Sequence, residues 1–380
     1  MKIPGFSIDK VAAAAGTDPK VLRMENLDTD LAPPHAAIEA TRAILGVDDF
    51  NSYLPFTGQR PLREAVAEKL HKQTGKAYEA DQVIITCGGT EAMLDALLAT
   101  ISPGEEVILT DPTYAGMIGR VQLVRGVPRL VPWLPINGEW RLDLEALQKA
   151  VNKKTRAVFL MNPSMPTGAV MTLAEWQAVA ELCRKHDLWL IYNAAMERIL
   201  FDNRSVIHPA ALEGMHERTI VIGSVSKEYR MIGWRVGWLV VPKPLAEAMT
   251  TTHVYNVVTP VGIAQMGALA ALQYGERGVE QAVQIWQERR DVLNKQLEGL
   301  GSIPAAGGWS QILDVSQWGL TADQASEMLL AKSKIAATPM TNWGGPEAQR
   351  YVRLVFSNEP VARLRTVGSR IRNLLSGLGA

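Results

Sequence analysis

The stretch RTIVIGSVSKEYRMIGWRVGWLVVP, residues 218–242, decides the fold and indicates the chemistry. It begins and ends with a continuously apolar run of strand length, which is typical of strands covered on both faces of a sheet. Between the runs lie a hydroxyl, an amine and a guanidinium, those of Ser224, Lys227 and Arg235. The hydroxyl and the guanidinium suit a phosphate, and a lysine beside a phosphate suits Schiff-base chemistry with an aldehyde. The alternative, a solvated surface lysine, is disfavoured by the flanking tryptophans and apolar runs.

The same alternation of apolar runs with segments of helical spacing extends from about residue 60 to about residue 278. The other predicted strands are VIITC, EEVILTD, VPRLVPW, TRAVFLMNP and LWLIYN. Between them, PLREAVAEKLHKQTG has Pro61 in its first helical turn, and TLAEWQAVAELCRKHD opens with a capping box of Thr172 and Glu175. Apolar strands separated by helices predict an α/β fold, with a mainly parallel sheet in a large domain of residues 46–278.

The pattern changes after residue 278. VEQAVQIWQERRDVLNKQLEGL, residues 279–300, has the spacing of an amphipathic helix, and two shorter strand candidates, SQILDV and YVRLVFS, follow it. We therefore predict a smaller α+β domain made of residues 279–380 together with residues 1–45.

The composition excludes several classes of protein. The 380 residues include 39 basic and 39 acidic side chains, and this balance argues against nucleic acid or an anionic membrane as the main partner. The two cysteines, Cys87 and Cys183, form no CxxC pair, so we expect neither a disulfide framework nor a cysteine metal site. No apolar run approaches the roughly 18 residues of a membrane span, and Asp9 and Lys10 interrupt the stretch that a secretory signal would need. We expect a soluble, cytoplasmic protein that acts on small molecules and holds no metal.

Small and polar residues follow five of the predicted strands. They are Gly88-Gly89-Thr90, Asp111 to Tyr114, Asn162 to Gly168, Asn193, and Ser224 to Lys227. Because ligands of an open α/β sheet bind beyond the carboxyl ends of its strands, we expect these residues to share one site. Gly89 and Thr90 also stand at a predicted helix N-terminus, where free N–H groups and the helix dipole bind phosphate. Taken alone, the Gly-Gly-Thr segment is more often a turn followed by a helix cap.

These residues resemble, in identity and in order, the motifs of the class I/II aminotransferases. That family comprises fold-type I enzymes of the aspartate aminotransferase superfamily, which depend on pyridoxal 5′-phosphate (PLP). The family pattern SKxYxxxGxRxGW is matched from Ser226 to Trp238. Further matches, spread over essentially the whole chain, are Tyr53, Gly58, Leu62 and Arg63, then Asp111 to Tyr114, and Tyr351 to Leu354. The resemblance implies a seven-stranded, mainly parallel sheet, and exchange of an amino group between an L-amino acid and a 2-oxo acid.

The resemblance also implies a role for each matching residue. Lys227 would bind PLP as a Schiff base and then move the α-proton of the substrate. The cofactor phosphate would be held by Gly89, Thr90, Ser224 and Arg235. Tyr114 would stack on the pyridine ring, and Tyr53 would reach the phosphate from the neighbouring subunit of a homodimer. Arg353 would pair with the substrate α-carboxylate, which a planar guanidinium matches better than an ammonium does; the alternative for Arg353 is a salt bridge at a strand edge.

Three positions depart from the family pattern. Met165 stands where the family has an asparagine that donates to the phenolic oxygen of PLP, and Met196 replaces a tyrosine with the same role. We interpret the two as a linked change, compensated by Asn162 or Ser164 or leaving the pocket more apolar. Asn193 replaces the aspartate that keeps the pyridine nitrogen protonated. Since an amide cannot stabilise the pyridinium charge, we hypothesise that Asn193 leaves PLP binding largely intact and slows removal of the α-proton.

Other functions stay open on the sequence alone. One is a different fold-type I activity, such as a β-lyase, a decarboxylase or a cyclising synthase. Another is a non-catalytic PLP-binding protein, against which Lys227, Arg353 and Tyr53 weigh. A nicotinamide dehydrogenase is disfavoured because Gly-Gly-Thr lacks the GxGxxG spacing. The substrate side chain is undetermined, with Arg120 and His253 as candidates for a second carboxylate clamp and a structural role as the alternative for each.

Overall fold

The computed structural model describes residues 7–377. Residues 1–6 and 378–380, which belong to the predicted small domain and include part of the N-terminal stretch considered for a secretory signal, lie outside the described residues.

The helices are α1 Ser7–Ala15, α2 His35–Ile44, α3 Arg60–Thr74, α4 Gly88–Thr100, α5 Ala115–Leu123, α6 Leu144–Ala150, α7 Leu173–His186, α8 Ala246–Val257, α9 Gly262–Tyr274, α10 Glu276–Gln296, α11 Ala322–Ser333, α12 Val361–Leu364 and α13 Val367–Ser376. The strands are β1 Leu22–Arg23, β2 Val83–Thr86, β3 Glu106–Asp111, β4 Val127–Ile136, β5 Glu139–Leu142, β6 Thr155–Met161, β7 Trp189–Asn193, β8 Thr219–Ser224, β9 Gly237–Val240, β10 Ser310–Asp314, β11 Ile335–Ala336, β12 Thr338–Pro339 and β13 Tyr351–Val355. Between residues 7 and 377, no helix combines the length and the apolar character needed to cross a membrane.

The larger sheet has the strand order β2-β9-β8-β7-β6-β3-β4-β5. Strands β8, β7, β6, β3 and β4 pair in parallel, whereas β9 is antiparallel to both of its neighbours. All seven strands predicted from apolar runs are present, and the prediction of a mainly parallel sheet is confirmed. The eighth strand, β5, pairs antiparallel with β4 after a turn at Asn137 and Gly138, both of which have positive φ. Sequence reasoning missed β5 because its short, alternately buried segment has no continuous apolar run; the Asn-Gly pair is the hairpin signal that could have found it.

Both faces of this sheet are covered along its central strands, which explains why those strands are mainly apolar. Ile84 and Ile222 belong to the buried cluster that also contains the apolar side chains of α4. Their chain neighbours Ile85 and Val221 belong to a second cluster, which contains the apolar side chains of α3 and α7. Successive strand residues point to opposite faces, so a central strand of this sheet needs apolar residues at nearly every position, whereas β4 and β5 at its edge are partly exposed. Each such side chain contributes roughly 1.5–3 kcal/mol when fully buried.

A second, smaller sheet lies in the C-terminal part of the chain. Its order is β10-β13-β12, with antiparallel pairing throughout. Strands β1 and β11 form a separate parallel pair, which attaches the N-terminal segment to this region. Helix α2 instead packs against α9, which follows the large sheet in the chain. The small α+β region is as predicted, while its proposed boundaries at residues 46 and 278 stay a prediction.

Strand direction determines where the polar segments meet. Strands β3, β6, β7 and β8 run in one direction, so their carboxyl ends lie at one edge of the sheet. Strand β2 runs the same way, because the single antiparallel strand β9 separates it from β8. The five segments that we predicted to share a site therefore begin at one edge of the large sheet.

Candidate active site

An anion cradle forms where α4 begins. Helix α4 begins at Gly88, with φ +71°, so the Gly-Gly-Thr segment is its first turn rather than a turn before it. The guanidinium of Arg235 lies directly over this turn, since a Cβ added at Gly88 would stand 2.5 Å from its Nη2. Arg235 itself has φ +55°, and its Nη1 donates to the carbonyl of Ile232 at 3.1 Å. The exposed Thr90 adds a hydroxyl to the same turn. Free N–H groups, a hydroxyl and a guanidinium together suit a phosphate.

Ser224 lies beside this cradle. It ends β8, and a Cβ added at Gly89 would stand 3.9 Å from the Cβ of Ser224. The Ser224 hydroxyl is 2.8 Å from the Ser226 hydroxyl and accepts the Ser226 N–H at 2.9 Å. The structure thus brings together the four residues predicted to hold a phosphate.

Lys227 lies between the cradle and the small domain. Its Nζ donates to the carbonyl of Leu27 at 2.7 Å and lies 4.9 Å from the centroid of the Trp309 ring. Burial lowers the pKa of Lys227 to about 7, and the positive charges of Arg353 and Arg235 act in the same direction. A lysine with this pKa is substantially neutral at pH 7, as a nucleophilic or basic amine must be.

Arg353 is fully buried on β13. One Nη donates to the Glu25 carbonyl at 2.5 Å, the other faces the Met165 sulfur at 3.5 Å, and the guanidinium carbon lies 4.7 Å from the Trp343 ring centroid. Its Nε has no hydrogen-bond partner within residues 7–377, and no carboxylate forms a salt bridge with it there. Burial lowers the pKa of Arg353 to about 10. A buried guanidinium whose hydrogen-bond partners are a carbonyl, the Thr338 hydroxyl at 3.4 Å and a weakly accepting thioether is suited to bind a carboxylate ligand.

Asn193 ends β7 and is 5% exposed. Its Oδ1 accepts the N–H of Ala195 at 3.0 Å, and its Nδ2 faces the sulfur of Met93 at 3.6 Å. Met196, also buried, has its methyl carbon 3.4 Å from a Cβ added at Gly308. With Met165 against Arg353, the two unusual methionines make one side of the site apolar.

The oxygen of Asn162, which we considered as a replacement donor, accepts the N–H of Met171 at 2.8 Å. The amide N–H groups of Asn162 are the part of this side chain that could donate to a ligand. Ser164 is buried in the same segment.

Tyr114 and Tyr53 differ in their surroundings. Tyr114 is half-buried at the start of α5, and the guanidinium of Arg120 lies 5.7 Å from its ring centroid. Arg120 and Trp343 line a cavity of about 670 Å³ that also reaches Thr90 and Arg235. Tyr53, in contrast, is 79% exposed on the protein surface. The structure thus brings Tyr114 to the site and leaves Tyr53 on an outer face.

A buried ion cluster next to the cradle was missed by sequence reasoning. His253 on α8 lies with its Nδ1 2.7 Å from Glu91 Oε1 and 3.4 Å from Asp95 Oδ2, and its Nε2 donates to the Phe56 carbonyl at 2.9 Å. These carboxylates raise the pKa of His253 to about 9 against the opposing effect of burial. His253 is therefore paired within the protein and is not the second carboxylate clamp that we considered. The spacing of Glu91 and Asp95, one helical turn apart, was the signal available in the sequence.

Comparison with known proteins identifies the family to which this chain belongs. The family model described as aminotransferase class I and II matches residues 21–371. The chain belongs to this family, whose members are PLP-dependent transferases.

Individual relatives show how varied the substrates of similar proteins are. The chain is 33% identical over 312 residues to an aspartate aminotransferase of Pyrococcus abyssi, covering 80% of this chain and 79% of the relative. It is 32% identical over 319 residues to an arginine–pyruvate transaminase of Pseudomonas aeruginosa, covering 81% and 79%. The aspartate aminotransferase of Thermus thermophilus, solved with maleate, superimposes with a TM-score of 0.91 at 28% identity, covering 98% of this chain and 97% of that one.

Proposed function

We propose that this protein is a PLP-dependent aminotransferase that moves an amino group between an L-amino acid and a 2-oxo acid. The observation that carries the proposal is Lys227, whose amine has a lowered pKa and lies near two guanidiniums. One is that of Arg235 at the anion cradle, and the other is that of Arg353, which is buried and forms no salt bridge among the described residues. A reactive amine with an anion site on one side and a carboxylate site on the other matches a phosphate-bearing aldehyde cofactor and an amino acid.

The residues present fit PLP. The Arg235 guanidinium occupies the space over Gly88 where a side chain would stand, so the lack of a side chain at Gly88 lets the guanidinium lie against the first turn of α4. The phosphate would be held by Gly89, Thr90, Ser224 and Arg235. Asn193 would face the ring nitrogen, and Tyr114 would stack on the ring. When bound, PLP supplies an aldehyde for the amino group and a ring that delocalises the electrons left by the α-proton.

Lys227 does two things in this scheme. Its neutral amine would hold the cofactor through the aldehyde, with loss of water, and the Nζ freed by the substrate amine would take up the substrate α-proton and return a proton to the product. Burial and two nearby guanidiniums favour the neutral amine, so Nζ is able to accept a proton near pH 7.

Arg353 orients the substrate. Its Nε, which has no partner among the described residues, and the Nη that faces only a thioether leave donors available for the α-carboxylate. Since the thioether is only a weak acceptor, the carboxylate replaces no strong hydrogen bond. Because the guanidinium is fully buried, the carboxylate also meets little competition from water. The substrate carboxylate would thus bind at Arg353 with its amino group toward Lys227.

We also propose that two copies form the working unit, with Tyr53 reaching the partner's phosphate site. Several large apolar side chains are exposed on the neighbouring segments 45–58 and 255–263, namely Leu45, Val47, Tyr53, Phe56, Tyr255, Val258, Val261 and Ile263. These segments are joined by hydrogen bonds from Thr259 to Leu54 and from His253 to Phe56. Several exposed apolar side chains on two segments in contact with each other support a subunit interface here.

The visible spectrum of the purified protein, recorded before and after borohydride, tests the proposal. A yellow chromophore that borohydride bleaches, with the cofactor then attached to Lys227 in the peptide map, supports it. A protein that takes up no PLP, or that carries it on another lysine, contradicts it. Mixing the holoenzyme with an amino acid and a 2-oxo acid then distinguishes transamination, which exchanges the amino group, from a lyase, which releases ammonia or a fragment without the oxo acid.

A further inference from the structure

We propose that Asn193 donates a hydrogen bond to an unprotonated ring nitrogen of PLP, so that this protein holds its cofactor as a neutral pyridine. Because the ring nitrogen belongs to the cofactor of the proposed function, the assignment rests on that function. The assignment adds that Asn193 keeps the ring nitrogen of bound PLP unprotonated.

The orientation of the Asn193 amide is fixed by its neighbour. The N–H of Ala195, 3.0 Å away, can only donate, so the atom that faces it must be the amide oxygen. The amide nitrogen then lies on the other side, with the Met93 sulfur at 3.6 Å as its contact. A rotated amide would set two donors against each other at Ala195, which excludes that arrangement.

The amide nitrogen is consequently a buried donor with unused capacity. Asn193 is 5% exposed, and a thioether is a weak acceptor that engages at most one of the two N–H bonds. A buried donor without a good acceptor costs about 1–3 kcal/mol, so a ligand atom that accepts here is favoured. A neutral pyridine nitrogen accepts through its lone pair, whereas a pyridinium N–H would meet another donor.

The surroundings of Asn193 also disfavour a charged ring. Its partners in the neighbouring strands are Met161 and Ile222, and Met93 approaches from α4. No carboxylate is hydrogen-bonded to Asn193 in the part of the chain that the structure describes. An apolar setting without a counter-charge lowers the pKa of a cationic group, which acts in the same direction as the donor.

Nitrogen NMR of the holoenzyme reconstituted with ¹⁵N-labelled PLP tests this assignment. We expect the ring nitrogen to resonate in the range of neutral pyridine throughout pH 6 to 9, and to move to the pyridinium range in Asn193→Asp. Met93→Leu serves as the matched control, because it removes the sulfur and leaves the Ala195 bond that orients the amide. The Leu variant should keep the resonance of the unchanged protein.

The outcomes separate the two proposals. A holoenzyme with PLP on Lys227 and a pyridinium resonance overturns the role of Asn193 and leaves the proposed function intact. A shift to pyridinium in Met93→Leu would also overturn it, since the sulfur and not the amide would then set the protonation state. A protein that does not load PLP contradicts the proposed function itself.

Discussion

At the scale of single residues, the pKa of the Lys227 amine depends on the positive charges placed near it. Arg353 and Arg235 lie close enough to Lys227 for their charges to lower its pKa, and burial lowers it further. Arg353 is buried as well, and no carboxylate forms a salt bridge with it among the described residues, although the charge of Glu25 opposes the lowering of its pKa. In the proposed function, one buried residue thus both favours the neutral amine of Lys227 and would bind the substrate carboxylate.

Replacing Asn193 with aspartate should speed transamination. A carboxylate at this position would stabilise a positive ring nitrogen, which strengthens the ring as an acceptor of electrons from the α-carbon. We expect the rate of the amino-acid half-reaction to rise at least about tenfold, which corresponds to about 1.4 kcal/mol in the barrier. Single-turnover absorbance changes measure it, with Asn162→Asp as a control that adds a carboxylate nearby. An unchanged rate in Asn193→Asp, or an equal gain in the control, would show that the account is wrong.

The lowered pKa of Lys227 predicts how the apoprotein reacts with PLP. The reactive form is the neutral amine, so the rate of attachment should rise with pH and level off above about 7. Stopped-flow absorbance at a series of pH values measures this profile. A rate that keeps climbing toward the ordinary lysine value of 10.5 would contradict the proposed effect of burial.

Exchanging Arg353 for lysine should weaken substrate use. Lysine cannot present two parallel donors, so at least one charge-assisted hydrogen bond to the α-carboxylate is lost, at a cost of about 1.5–3 kcal/mol. We expect kcat/KM to fall about 10- to 100-fold. Arg350→Lys is the matched control, because Arg350 is a partly exposed neighbour that pairs with Asp314. Equal effects of the two changes would argue against a binding role for Arg353.

At the scale of elements, three segments meet at His253. Its Nδ1 contacts Glu91 and Asp95 on α4, its Nε2 contacts the Phe56 carbonyl, and Asn256 of α8 donates to Asp95 at 2.8 Å. Glu91 also accepts the N–H of Cys87, the residue just before the anion cradle. The cluster therefore links the start of α4 to the segment that carries Tyr53.

The His253 cluster makes stability depend on pH. Its pKa is about 9 in the folded chain, above the ordinary value of 6.5, so the charged form stabilises the fold fully below about pH 6.5. This contribution is lost as pH rises through about 9, and at 1.36 kcal/mol per unit it amounts to roughly 3 kcal/mol. Urea unfolding of His253→Gln should show a deficit at pH 6 that shrinks by pH 9.5. His186→Gln, at an exposed position, is the control, and a deficit independent of pH would contradict a charged His253.

At the scale of the whole molecule, a dimer would complete the site. The exposed patch around Tyr53 lies on segments tied to the start of α4 through His253, so one subunit's surface is connected to its own anion cradle. In the proposed dimer, contact through this patch would bring the tyrosine of one copy toward the anion cradle of the other.

Removing the Tyr53 hydroxyl tests this dimer. We expect Tyr53→Phe to remain dimeric and to bind PLP about 10- to 100-fold less tightly, since one hydrogen bond to a charged phosphate is lost. Equilibrium dialysis gives the affinity, and sedimentation gives the oligomeric state. Tyr255→Phe removes a hydroxyl from a residue that is 88% exposed on the same face and should change neither. An unchanged affinity for PLP in Tyr53→Phe would rule out a phosphate site shared between subunits. So would an unchanged protein that sediments as a monomer.

The amino-acid sequence by itself determined the seven main strands, the edge at which their loops meet and the residues at each strand end. It could do so because apolar periodicity and turn residues are local properties of the chain. It missed β5, whose short edge strand buries only alternate side chains.

Only the tertiary structure decided the contacts, the pKa values and the side-chain orientations of those residues. Lys227 meets Leu27 across 200 residues of chain, and His253 meets Glu91 across 162, so no local pattern could pair them. The pKa of Lys227 depends on burial and on guanidiniums brought from elsewhere, and the direction of the Asn193 amide depends on where the Ala195 N–H points. Residue identity limits which interactions are possible, while burial and the placement of distant groups determine which of them form.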